Sequence, residues 1–175
     1  MYRTIALAAS LAAAFVITAA TAAPAAKPTD PQIAHIAYTA GQLDIEAAKQ
    51  ALDKSKNQDV RNFAQRMIAD HTSVNEQALA LVKKLNVTPE DNPTSQSLAK
   101  GAHDERTKLA SLDGATFDKA YVDNEVAYHK AVNTALSNTL IPDAQNAELK
   151  SLLQTGLTLF ENHQQHAESL AKQLH

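Results

Sequence analysis

Five side chains of this sequence have types and settings that could do chemistry: Asp44, His71, Glu125, His129 and His163. Each sits among apolar residues that recur every three or four positions. His71 interrupts the series Val60, Ala64, Met67, Val74, Ala78, Val82 and Leu85. Asp44 falls among Ala40, Leu43, Ala47 and Ala48, while Glu46 points to the opposite, solvent side. Glu125 shares a face with Tyr121 and Tyr128, and His129 follows one helical turn later. His163 is grouped with Leu152, Leu159, Ala167 and Leu170. Such spacing is that of amphipathic helices, so these polar groups point toward a core. Desolvating a carboxylate is costly, and a buried one needs compensation. Two kinds of compensation are open. The groups can satisfy one another as a hydrogen-bonded polar layer that fixes helix register. Alternatively they can share a metal ion, and carboxylates with imidazoles suit iron, manganese or zinc.

The local motifs narrow the metal chemistry. A di-iron carboxylate bundle repeats Glu-x-x-His on two helices, and that motif is absent here. The chain has Asp70-His71, Glu125 four residues before His129, and His163 three residues before His166. That leaves a mononuclear site of two or three histidines with Asp44 or Glu125. His35 and His103 fall on polar faces, and His166 lies on the flank of its helix. Asp118 reads first as a favourable charge at a helix N-terminus and second as a partner for His163. There is no cysteine, no serine-nucleophile motif and no glycine-rich phosphate loop.

The elements that must position these groups are all helical. Alanine dominates, glycine is scarce and no strand pattern is present. Helices are expected over residues 31–55, capped by Asp30 with Pro31 at the first position, and over 59–86. A shorter helix is expected over 95–112 with Thr94 as its cap, stopped by Asp113-Gly114. Two more span 116–139 and 144–174, joined by a tight turn at "LIPD". The first two and the last two are joined by short turns, so each pair is antiparallel. The long connection holding the middle helix can travel back along the whole molecule. This is the ferritin-like variant of a four-helix bundle, all-α, with an extra short helix on its crossover. An up-down arrangement of five helices is the alternative. Counting outward from the first turn puts Asp44 and His71 at one height, with His129 level and Glu125 about one turn above. Counting through "LIPD" puts His163 opposite Lys119, several residues too far along. His163 therefore pairs with Asp118 or Tyr121, or else the last helix is offset.

Residues 1–22 read as a secretory signal peptide: a basic start, an apolar run and small residues at Ala20 and Ala22. Residues 23–30 are an exposed leader, and residues 31–174 form one domain. Removing the signal leaves 15 basic residues against 19 acidic ones, since Arg3 is one of the 16 in the whole chain. The resulting net charge of −4 is ordinary and carries no basic block for nucleic acid or anionic lipid. A periplasmic location follows, with no membrane-spanning segment after signal removal and at most a peripheral association with the envelope.

The blocks "VRNFAQRMIADHTSVNEQ", "FDKAYVDNEVAYHKAV" and "HQQHAESL" resemble a bacterial family known as domain of unknown function 4142. The resemblance runs from about Asp30 to Leu174. It implies an exported ferritin-like bundle of a kind often labelled an outer-membrane protein. It also implies that His71, His129 and His163 are the family's motif histidines, and that Phe117-Asp118 is a further motif position. Asp44 then occupies a position where glutamate is more usual. The reading that follows is a non-enzymatic periplasmic protein with a core metal site of Asp44, His71, Glu125, His129 and His163. Two others stand beside it: a structural or interaction module with a self-satisfied polar layer, and a metal-dependent oxidase.

Overall fold

A computed structural model describes residues 27–174; the signal peptide expected over residues 1–22 lies outside them. The described chain is all-helical. Helix α1 spans Asp30–Lys54, α2 Gln58–Lys84, α3 Pro93–Ala110 and α4 Gly114–Ala135. Helix α4 runs into a π turn, Leu136–Leu140, and one further turn, α5, Ile141–Asp143. The last helix, α6, spans Ala147–Gln173. No helix among the described residues is long and apolar enough to cross a membrane.

Side chains at the helix starts fix where each begins. Thr29, not Asp30, precedes α1; it forms a reciprocal capping box with Gln32, and Pro31 stands in the first turn. Asp30 is then free to reach the other hairpin, where its carboxylate accepts from the backbone N–H groups of Gln145 and Asn146 at 2.8 Å each. Asn57 caps α2 and Asn146 caps α6, each accepting from two orphan N–H groups of the first turn. Asn92, not Thr94, caps α3, because Pro93 can occupy the first helical position where no N–H is needed. Helix α2 ends on Asn86 in the left-handed region, φ 53°, with Val87 N–H returning to the Val82 carbonyl.

The connections set the topology. Helices α1 and α2 form one antiparallel hairpin, and α4 and α6 a second. Helix α3 returns alongside α1: Glu90 N–H bonds the Pro31 carbonyl at one end, and Lys54 Nζ bonds the Ala110 carbonyl at the other. Arg106 of α3 also pairs with Glu46 on the outer side of α1. Because α3 brings the chain back, α4 starts beside the start of α2.

Two apolar clusters result. One, near the start of α4, joins Ala48 and Ala51 to Val60, Phe63, Met67, Leu109, Phe117, Tyr121, Ala167 and Leu170. The other, near the α4–α6 connection, joins Ile33 and Ile36 to Leu136, Leu140, Leu149, Leu153 and Phe160. Truncating a fully buried ring such as Phe63 costs about 3–5 kcal/mol. The five singled-out polar residues occupy the layer between the clusters.

Three expectations change. "LIPD" does not turn; the chain stays helical to Asp143 and turns at Ala144–Asn146. Pro142 is accommodated near the start of the one-turn α5, where it interrupts no long ladder. The buried face of α6 is Leu149, Leu153, Gly156 and Phe160, with Leu152 and Leu159 only partly buried. Both phases satisfy helical spacing with His163, and the observed one places a ring against the polar layer. On α4, His129 and Asn133 are buried, whereas Ala135 is exposed.

Candidate metal centre

Asp44 from α1, His71 from α2, Glu125 and His129 from α4 and His163 from α6 all meet in the core. None is more than 3 % exposed. The height argument holds for Asp44, His71 and His129, and it fails for His163 in an instructive way. The real pivot between α4 and α6 lies near Gln145, about one turn beyond "LIPD". Counting outward from Gln145 sets His163 opposite Ala127, two residues from His129. The later turn, rather than an axial offset of α6, reduces the mismatch to two residues.

His163 bonds neither Asp118 nor Tyr121. Its Nε2 lies 2.9 Å from Asp70 Oδ2, and its Nδ1 is buried with no hydrogen-bond partner. Nε2–H therefore donates to the Asp70 carboxylate, which leaves the Nδ1 lone pair facing the core. His129 is fixed in the complementary sense. Its Nδ1 lies 3.0 Å from the Glu125 backbone carbonyl and donates to it, so the buried Nε2 carries the free lone pair. His71 is held by its faces: Phe160 stacks on it at 4.6 Å and 9°, and both its ring nitrogens are buried without a hydrogen bond.

Asp44 stands among these rings. Its Oδ2 is 2.6 Å from His71 Nε2 and 3.4 Å from His129 Nε2. By distance the first contact is an ion pair, yet neither atom meets hydrogen-bond geometry with any partner. The contact is short but misaligned, and hydrogen-bond strength falls steeply with misalignment. Ligand atoms of His71, His129 and His163 lie within 4.8 Å of one another, as do those of Asp44, Glu125 and His129. Donors 2.0–2.2 Å from a tetrahedral ion stand roughly 3–3.5 Å apart, so the Asp44–His129 separation of 3.4 Å fits, whereas the 2.6 Å Asp44–His71 contact must open by about half an ångström.

The electrostatics suit a cation. Burial works against the Asp44 charge, but His71 and His129 more than offset it and hold the carboxyl below its usual value. Glu125 shifts the other way. Burial and then the Asp44 charge push it well above the ordinary glutamate value, so it keeps its proton. Burial also lowers His129, and lowers His163 to about 4. These two imidazoles are neutral at neutral pH, the form in which histidine ligates metals.

Tyr128 borders the site, and its hydroxyl donates to the Ala40 carbonyl at 2.8 Å, tying α4 to α1. Asp70, half-exposed, is the site neighbour that the apolar series did not pick out. Its signal was available in its place next to His71. Asp118 and Tyr121 are buried one or two turns away, Tyr121 in the Phe63–Phe117 cluster. His35 is half-buried, His103 is exposed, and His166 packs its ring on Phe63 at 5.1 Å, away from the site.

An all-helical protein with a buried cluster of three histidines and two carboxylates between its apolar cores is the class that fold and site define. The chain belongs to the family described as domain of unknown function (DUF4142), whose sequence model matches residues 16–170. No curated protein and no solved structure matches it.

Proposed function

We propose that this is an exported, ferritin-like four-helix bundle that holds one divalent transition-metal ion in its core. His71 Nε2, His129 Nε2, His163 Nδ1 and the Asp44 carboxylate are the ligands. Glu125 supports the set: its carbonyl orients His129, and its protonated carboxyl lies beside Asp44. Asp70 orients His163 in the same way, as carboxylate partners of ligating histidines commonly do. Zinc, iron and manganese all accept this donor set. Export is read from residues 1–22, and a periplasmic site of action follows from it. The antiparallel hairpins and the returning α3 support the ferritin-like reading.

One observation carries the metal reading. Three rings converge on one carboxylate, and each ring keeps a buried nitrogen unpaired, at a cost of about 1–3 kcal/mol for each atom left so. A polar layer that satisfied itself would not leave a nitrogen of each ring, His71 Nδ1, His129 Nε2 and His163 Nδ1, buried without a hydrogen bond, even with Asp44 in contact with His71 and Glu125. The test is thermal melting with zinc, iron(II) or manganese(II). An ion at 100 times its dissociation constant adds about 2.7 kcal/mol, which raises the midpoint by roughly 5–10 °C. His71→Ala and His129→Ala should abolish that rise. No rise with any of the three ions would sink the proposal in favour of the structural layer.

A further inference from the structure

Beside the histidines lies a cavity of about 510 Å³. That is within the roughly 300–1,000 Å³ of small-molecule sites. It lies between α1, α3 and α4, and the π turn and α6 complete its wall. Ile36, Ala40, Val132, Leu136, Leu153 and Phe160 are typical of its lining. His71 and His129 reach into one end, 3 % and 1 % exposed. The other end is rimmed by Thr139 and by Lys27, which is already paired with Asp143 at 2.7 Å. From His129 to Thr139 is ten residues of helix, roughly 15 Å.

Asp44 and Glu125 do not face this space. They border a separate cavity of about 80 Å³, and Tyr128 lines both. The imidazole side of the centre thus opens on an apolar chamber, and the carboxylate side does not. This asymmetry defines what the chamber accepts. A divalent ion held by three neutral imidazoles and one carboxylate keeps a net positive charge next to apolar walls, which is costly unless an anion meets it.

We propose that the chamber binds an unbranched monocarboxylate of about ten carbons, its head joining the ion as a fifth ligand at the histidine end and its apolar tail running along α4 toward Leu140. The inference rests on the metal reading above and names the ligand of that same site. Lys27 does not compete for the head, because it is 81 % exposed and already paired. The aliphatic walls supply affinity in proportion to tail length, roughly fourfold for each buried methylene.

Cobalt(II) provides the probe. The full protein loaded with cobalt(II) should show visible ligand-field bands, and decanoate should shift them with one-to-one saturation. Acetate should need at least about a hundredfold higher concentration, because it has the head without the tail. Ala40→Leu narrows the chamber and should weaken decanoate at least tenfold while the cobalt bands persist. Ala37→Leu, half-buried on the same wall one turn away, gives the same reading if Ala40→Leu does not fold. Cobalt bands that ignore decanoate, or that respond equally to acetate, would overturn the ligand inference and leave the metal centre standing. Absence of cobalt bands would overturn both.

Discussion

Protonation of His163 should destabilise the metal-free protein. The ring is 2 % exposed, and burial drives its pKa from 6.5 down to about 4, with Asp70 pulling in the opposite direction. In the unfolded chain the same imidazole takes up its proton near 6.5. Between those values the unfolded state holds one more proton than the folded state. A depressed folded pKa means that the stability is complete above 6.5 and is lost as the pH falls toward 4. The loss is about 1.4 kcal/mol per pH unit, or about 3 kcal/mol across the window. That is a large part of the roughly 5–15 kcal/mol a domain possesses. His129, also lowered, adds in the same direction. Glu125 opposes both. Its raised pKa gives stability that is full below its unfolded value of 4.5 and is lost as pH rises. Wild-type protein alone would therefore show a blunted slope. The assay is urea unfolding in chelator from about pH 7 to pH 4, for wild type and His163→Asn in parallel. The stability difference between them should fall by about 3 kcal/mol toward acid. A difference that stays constant with pH would refute the burial argument for His163.

Other consequences follow from the same contacts. Asp70→Asn should leave the fold intact and weaken metal binding about 10–100-fold by titration calorimetry, since it removes only the group that orients His163. Glu125→Gln imitates the protonated acid and should keep metal affinity within about tenfold. It should also flatten the loss of metal-free stability that Glu125 imposes as pH rises above 4.5. Gly41→Ala would place a methyl carbon 2.4 Å from Asn75 Oδ1, where α1 and α2 approach closely. The Asn75 side chain, bonded to the Tyr38 carbonyl at 3.4 Å, must then move, at a cost of about 1–3 kcal/mol in denaturant unfolding. Asn75→Ala in the same chain should recover part of it.

Helical periodicity brings Asp44 and His71 to one level, because the short connection at Ser55–Asn57 fixes the register of α1 against α2, and His129 joins them because α3 returns the chain so that α4 starts beside α2. His163 was misplaced along the axis for one local reason. Ile141-Pro142 reads as a turn, since proline breaks long helices, but here it follows a π turn that has already shifted the hydrogen-bond ladder. Nothing in residues 136–140, Leu-Ser-Asn-Thr-Leu, signals that wider turn. The phase of α6 was ambiguous because Leu152 and Leu153, like Leu159 and Phe160, offer apolar side chains on adjacent faces. Only contact with the rest of the core chooses between them. Asp70 stayed on the rim in the sequence reading because a helical wheel ranks residues by angle. The bond to His163 depends on how far α6 leans toward that edge of α2. The caps at Asn92 and Thr29 were each displaced by a residue or two, the usual cost of reading a helix start from a run rich in Thr, Asp and Pro.

Elemental analysis of the protein purified without chelators decides whether Asp44, His71, His129 and His163 hold a metal ion. His71→Ala and His129→Ala should be analysed beside it. Near-stoichiometric zinc, iron or manganese should be present in the wild type and lost from both variants. Wild-type protein free of metal, with both variants folded but less stable, would contradict the metal reading and leave the histidines as a structural layer.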